Sequence, residues 1–443
     1  MDKTPETAPS VHGELKRTLG TTDLTLLVVG NVIGSGIFLV PSSVLRQSGE
    51  SVPVAMTVWL VGGVLSLLGA LSYGELGAMD RGSGGLYSYI RDGFGRFPAF
   101  LYGWTLFFVI GAGTIATLAV AAANYSGQFT EVNAFQKKVI AVTLIVIMAV
   151  INVRGTRGSA SVQNVATVIK VFAILALSGI FFVLGRGGPA TAAAQIATPA
   201  SFTGVGLSII SVLWAYEGWQ YVTFAAGEAT NPQKSLPRAI ALGTVSLIVI
   251  YLVANFGYLA ALGPARVAAS ERVAGEAVAT VLGPAAGSIV ALAIIISMYS
   301  AAHATVITAP RVYYSMARDG LFFARLADVH PRFGTPAVAI VTSCAWAAVL
   351  AISGTFEQLL TYVVFVGWIF YAAGAAAVIA LRIKRPDAER PFKVPGYPLT
   401  PVLFVLAAAA IVLNTIVANP GQAAIGIGVV LLGAPAYLVW KRK

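Results

Sequence analysis

The chain has 443 residues, of which 57% are hydrophobic and only 11% charged, with a mean hydropathy of +0.81. That is too apolar for a water-soluble domain of this length, so the chain reads as a polytopic membrane protein. Lysine and arginine outnumber aspartate and glutamate by 29 to 18, but they sit between apolar runs, which excludes a nucleic-acid surface and makes the excess a matter of orientation in the bilayer.

Residues 1–22 form a polar tail without the apolar stretch of a secretory signal. Twelve apolar runs follow, near 23–45, 53–79, 97–124, 137–153, 162–184, 202–229, 237–262, 284–316, 337–353, 358–382, 400–418 and 422–440. Each is long enough, or nearly so, for the roughly 20 helical residues that a core about 30 Å thick requires. With the N-terminus placed in the cytoplasm, 22 of the basic residues fall in the tails and loops of that side. Six fall opposite and one, Lys170, stays inside a segment. The asymmetry predicts both termini inside.

Segment 1 contains Val29-Gly30-Asn31-Val32-Ile33-Gly34-Ser35-Gly36-Ile37-Phe38. Each interior glycine weakens a helix by roughly 1 kcal/mol relative to alanine, and unpaired backbone at mid-membrane depth is tolerated only where it is buried or lines a cavity. A break here therefore predicts a binding site. Segment 6 carries Leu213-Trp214-Ala215-Tyr216-Glu217-Gly218-Trp219-Gln220, and a mid-membrane carboxylate such as Glu217 needs water, a partner or broken backbone beside it. Interrupted segments five apart predict a 5+5 inverted repeat, residues 23–184 and 202–382, with segments 11–12 and the C-terminal tail appended as 383–443. Beyond a break at Gly34, Ser35 and Gly36, free N–H groups and a positive dipole end suit a carboxylate. The carbonyls of Val32, Ile33, Trp214, Ala215 and Glu217 suit an ammonium group, so the pair of breaks matches an amino acid zwitterion.

Other polar residues read more plainly. Asp23 complements a helix N-terminus. Glu75 and Glu228, near segment ends with Arg81 and Arg238, read as structural or inward-gate partners in surface ion pairs of small individual worth. His303, alone in an apolar segment, reads as a packing residue ahead of a proton relay. Cys344 has no partner for an intrachain disulfide. His12, His303 and His330 are scattered and no metal-binding or paired-acid motif occurs, so neither an enzyme nor a metal or other cofactor is expected. A channel is the competing class, because pores also use freed carbonyls.

The chain resembles the amino acid-polyamine-organocation superfamily of secondary transporters, and within it bacterial relatives of the L-type amino acid exchangers, from about residue 15 to about residue 400. The resemblance rests on Ile33-Gly34-Ser35-Gly36-Ile37-Phe38, Leu71-Ser72-Tyr73-Gly74-Glu75-Leu76, Ser83-Gly84-Gly85-Leu86-Tyr87-Ser88-Tyr89 and Trp214-Ala215-Tyr216-Glu217-Gly218-Trp219. Gly227-Glu228-Ala229-Thr230-Asn231-Pro232, Leu236-Pro237-Arg238-Ala239-Ile240 and Ala317-Arg318-Asp319-Gly320 add to it.

It implies an all-α LeuT-type fold of twelve transmembrane helices with helices 1 and 6 discontinuous. It further implies a multi-pass inner (plasma) membrane carrier that works by alternating access on an amino acid, with Trp214 as the gate. Lys170 then lies where sodium-coupled relatives hold sodium, which implies sodium independence. Exchange and proton coupling both stay open, with protons as a potential partner. Glu217 stands where eukaryotic L-type exchangers carry glycine; favouring a cationic substrate, titrating and pairing away from the pocket are its three open roles. Ile110, Gly113, Ser297 and Phe365 are candidates for the side-chain pocket. Their apolar character favours neutral or broad-range L-amino acids over the alternative, a cationic amino acid or polyamine antiporter.

Overall fold

The computed structural model describes residues 15–80, 82–187, 202–270, 272–353, 356–418 and 420–441. Among them each of the twelve apolar runs contains helix, and strand-like pairing is limited to one parallel bridge between Leu19 and Ala229. The first part of the tail, with Lys3 and His12, lies outside the described residues.

The first run is split into α1 (Thr21–Val32) and α2 (Gly36–Gln47), which meet at a bend of 49°. The chain then forms α3 (Val52–Met79), the short α4 (Leu86–Phe94), and α5 (Arg96–Thr105), which passes through a π turn at Leu106–Gly111 into α6 (Ala112–Tyr125). Next come α7 (Ala134–Val153) and α8 (Thr156–Leu184). The sixth run is α9 (Phe202–Ala215), broken at Tyr216–Gly218 and resumed as a 3-10 run, Trp219–Glu228. The long α10 (Pro232–Leu262) is followed by the short α11 (Pro264–Ala269) and α12 (Val273–Leu282), then α13 (Ala286–Arg318), α14 (Ala337–Ser353), α15 (Phe356–Lys384), α16 (Leu399–Ala418) and α17 (Pro420–Lys441). Nine helices are long and apolar enough to cross a membrane among the described residues, ten with the bent pair α1–α2. The remaining two runs are the 17-residue α14 and the interrupted α9.

Local chemistry accounts for several ends. Asn133 caps α7 by accepting from the Gln136 N–H at 2.9 Å, while the Gln136 side chain accepts from the Asn133 N–H at 2.9 Å, a reciprocal capping box. Gly218 adopts φ +124° at the second break, a region that side chains rarely enter.

Burial separates an inner set from an outer one. The most apolar window of the Arg96–Tyr125 span is 72% buried and that of α13 67%, against 17% for α7 and 22% for α17. The outer helices therefore present apolar side chains to lipid, while α1, α6, α9 and α13 surround the breaks.

One expectation is corrected by the length of α13. Counting basic residues by side placed Arg311 with the loop after segment 8, yet it lies within α13 and is fully buried. A guanidinium can be held there because a buried carboxylate meets it.

Candidate functional site

The two breaks lie against each other. A Cβ on Gly36 would sit 2.7 Å from the Ala215 Cα, and one on Gly218 would sit 3.1 Å from the Asn31 carbonyl oxygen, so the absence of side chains is what lets the broken backbones touch. Tyr251 of α10 ties them: its hydroxyl lies 3.1 Å from the Val32 carbonyl oxygen and 3.0 Å from that of Ala215. At the start of α2 the N–H groups of Gly36 and Ile37 have no intrahelical acceptor, which makes this helix end a site for negative charge. The Gly34 N–H, expected among these donors, instead donates to the Val32 carbonyl at 2.8 Å.

A small cavity of about 40 Å³ occupies the junction. Val32, Gly34, Ser35, Gly36, Trp214 and Glu217 of the expected set all line it. Gly34 is where space is left: a Cβ there would make only ordinary contacts, 3.5 Å from Ala301 and from Leu118. The Ile33 carbonyl is engaged within the protein, by Lys170 at 2.7 Å and Ser297 at 3.0 Å, and that of Ala215 by Tyr251. Neither Ile33 nor Ala215 is among the residues lining the cavity.

The cavity at the junction is lined by other residues than the four candidates for a side-chain pocket. Ser297 serves the helix break, the Ile110 carbonyl accepts from Thr114, and Phe365 lies beside Gly426 of α17. None of these, nor Gly113, is among the lining residues; Asn31, Thr114, Tyr221 and Thr305 are. The Glu217 Oε1 accepts from the Tyr371 hydroxyl at 2.7 Å. Its Oε2 and the Asn31 amide nitrogen are buried with no partner among the described residues. A buried polar atom without a partner costs ~1–3 kcal/mol, so a ligand that supplies a donor to one and an acceptor to the other is favoured. Asn31, Thr114 and Thr305 were legible as polar positions in apolar runs, whereas their convergence depends on helix register.

Lys170, fully buried in α8, donates to the Gly30 and Ile33 carbonyls at 2.7 Å each. It thereby satisfies the C-terminal end of α1, whose last carbonyls have no intrahelical donors. Along the same face of α8, Gln163 donates to Thr167 and to Ser300 of α13 at 3.2 and 3.0 Å. His303 is held between Gln163 and Ser159, 3.4 and 3.3 Å from its ring nitrogens, and stacks on Tyr299; it is a satisfied packing histidine.

Farther toward the end that carries the N-terminal segment, Arg311 Nε donates to Glu228 Oε2 at 2.7 Å, with both side chains buried. Thr156 donates to the other carboxylate oxygen. The Glu228 carbonyl accepts the Thr18 and Leu19 N–H groups at 2.8 and 2.9 Å. Glu75 is held by Arg382 at 2.7 Å and by the Val394 N–H at 2.7 Å. Both glutamates were expected in surface pairs near Arg81 and Arg238; they are buried, with arginines far away in sequence, because only a desolvated carboxylate needs so complete a set of donors. Asp23 accepts from the Gly20 N–H at 2.9 Å and from Arg157 and Asn164 at 2.7 and 2.6 Å. It thus also joins α1 to α8.

The model of the amino acid permease family matches residues 19–437. The chain is 32% identical to the serine/threonine exchanger SteT of Bacillus subtilis (strain 168) over 434 residues, covering 97% of this chain and 98% of that protein. It is 31% identical to the mouse large neutral amino acids transporter small subunit 2, covering 100% and 85% of the two chains. It is 30% identical to the human cystine/glutamate transporter, covering 97% and 87%.

Proposed function

We propose, from the premise that this chain belongs to the amino acid permease family, that it is a sodium-independent exchanger of small neutral L-amino acids bearing a hydrogen-bond donor, such as L-serine. The observation that carries this reading is the Glu217 carboxylate in a small cavity, one oxygen held by Tyr371 and the other buried without a partner among the described residues. The substrate carboxylate binds at the N–H groups that open α2, from Ser35, Gly36 and Ile37. Its ammonium group takes the Val32 carbonyl, which lines the cavity, as the single Tyr251 proton turns to the Ala215 carbonyl. A side-chain hydroxyl then donates to Glu217, and Trp214 closes the cavity. The name of the Bacillus subtilis relative, a serine/threonine exchanger, supports the same substrate class.

Sodium independence is supported by Lys170, whose ammonium already bonds two carbonyls at the break that would otherwise suit a cation. The distribution of basic residues supports both termini in the cytoplasm of a plasma-membrane protein. The two five-helix units 23–184 and 202–382 move against each other around the paired breaks.

A second reading rests on the same carboxylate, which would also suit a cationic side chain. One experiment separates them. Purified protein is reconstituted into vesicles loaded with L-serine, and uptake of labelled L-serine is followed with and without sodium and against competing amino acids. Saturable uptake that requires internal serine, ignores sodium and is inhibited by serine and threonine is expected. Competition by lysine and arginine alone would favour the cationic reading, and uptake that neither saturates nor responds to internal substrate would refute the carrier.

A further inference from the structure

A second cavity, about 380 Å³ against about 40 Å³ for the one at the breaks, opens at the end that carries the N-terminal segment. Its charged lining comes from Arg17, Asp80, Arg91, Arg318 and Asp319. Arg91 and Asp319 pair with each other at 2.6 Å. Asp80, Arg17 and Arg318 make no ion pair among the described residues. The space thus offers one carboxylate and two guanidinium groups, the complement of a zwitterion.

The two cavities are lined by one helix. Ala301 and Thr305 of α13 line the first cavity, and Ser315 and Asp319 line the second. With 3.6 residues per turn, positions 301, 305, 308, 312, 315 and 319 form one stripe of this helix, and Thr305 to Ser315 is about 15 Å along it. The loop Ser83-Gly84-Gly85 reaches the second cavity through Ser83. Its Gly84 and Gly85 have φ of +137° and +45°, and a Cβ on Gly85 would lie 2.4 Å from the Thr223 hydroxyl and 2.6 Å from the Phe224 ring. The Ser315 hydroxyl donates to the Ser83 carbonyl. The loop is thus wedged between the 3-10 run and α13, with no side chain to spare.

We propose that this cavity is a second amino acid site on the cytoplasmic side, in which Asp80 takes the substrate's ammonium group and Arg318, with Arg17 at the rim, takes its carboxylate. The assignment rests on the carrier reading above. Asp80 lies outside the spanning helices, and burial raises its carboxyl above the usual carboxylate range although the Gly82 N–H donates to it at 2.8 Å. An arriving ammonium is the partner that favours its charged form. Arg318 is oriented by Tyr314, whose hydroxyl lies 3.2 Å away and whose ring it overlies. The site gives a role to two sequence motifs that the central cavity does not use, Ser83-Gly84-Gly85 and Ala317-Arg318-Asp319-Gly320.

The test uses the full chain carrying Ser83→Cys, since the single native cysteine, Cys344, is buried. The rate of modification by a membrane-impermeant methanethiosulfonate is measured with and without L-serine. It is measured again with Gly34→Leu added, which fills the central cavity, and with Asp80→Asn or Arg318→Gln added. Each variant is first checked for a single monodisperse species, and either of the last two suffices if the other does not fold. Serine is expected to slow labelling at least threefold in Ser83→Cys and in the Gly34→Leu background, and to lose this effect with Asp80→Asn or Arg318→Gln. Loss of protection with Gly34→Leu, or protection that survives both charge changes, would overturn the site, as would protection by inorganic phosphate and not by serine. Normal serine exchange with no protection refutes the site and leaves the carrier reading standing. Protection without exchange does the reverse.

Discussion

Replacing Arg311 by methionine tests whether the buried ion pair holds the end of the bundle that bears the N-terminal segment. Arg311 reaches Glu228 at 2.7 and 3.2 Å and Thr156 at 3.2 Å, and Glu228 in turn anchors Thr18 and Leu19. Arg311→Met keeps the apolar stem and strands a buried carboxylate with a threonine hydroxyl as its side-chain partner. Removing one member of such a pair costs about 3–5 kcal/mol. Glu228→Gln strands the guanidinium instead and should cost a comparable amount. The double variant carries neither charge, and its glutamine can still accept from Thr156, so it should recover most of the loss; replacing a whole buried pair is often close to neutral. The assay is the fraction of monodisperse protein left after heating in detergent. Because unfolding of such a protein is irreversible, the order of the variants is the readout. The expected order is wild type and double variant together, with both single variants well below. An Arg311→Met protein as heat-resistant as wild type, or a double variant that loses the sum of the two singles, would refute the reasoning.

Gly30→Ala should destabilise the protein, because a Cβ there would lie 2.0 Å from the Gln163 amide and 2.5 Å from the Thr167 hydroxyl; adding Gln163→Ala should restore part of the heat resistance, and no restoration would place the fault elsewhere. Gly34→Leu should leave a monodisperse protein while lowering serine exchange by more than about tenfold, a loss of over about 1.4 kcal/mol, and unchanged exchange would remove Gly34 from the site. Tyr371→Phe frees the second oxygen of Glu217 and should raise inhibition by lysine relative to serine in the uptake assay; an unchanged ratio would separate Glu217 from selectivity. Asp80→Asn tests the sign of a pH effect. A carboxyl raised by burial contributes stability that is fully present below its unfolded value and is lost as pH rises through its folded value. The variant should therefore outlast wild type on heating near pH ~7, with the margin closing toward pH ~4, and a pH-independent margin would refute it.

The helical runs and the two breaks were legible because their signals are local: apolar length, and glycine placed where a bilayer penalises open backbone. Lys170 was legible for the same reason, as a charge that no loop could claim. Arg311 was not, because its place near the end of an apolar run fits a loop equally well until Glu228, 83 residues earlier, is seen to bond it. Glu75 has its partner 307 residues away. The residues that line the cavity were not legible for a related reason. Choosing Ile110 over Thr114 on one helix turn needs the rotation of that helix, which neighbouring helices set and its own sequence does not.

Gly34 and Gly36 look alike in the sequence, and the packing separates them. Gly36 has no room for a side chain because Ala215 of the other broken helix lies against it, so it fixes how closely the two breaks approach. Gly34 has room, and that room is part of the cavity. A ligand held, as proposed, by the N–H groups that open α2 and by the Val32 carbonyl sits beside Tyr251, which has one proton for the Val32 and Ala215 carbonyls of the two breaks. An ammonium group on the Val32 carbonyl leaves Tyr251 that of Ala215. On that proposal occupancy would fix which break α10 holds, a difference in contacts between states that a ligand needs in order to shift a conformational equilibrium.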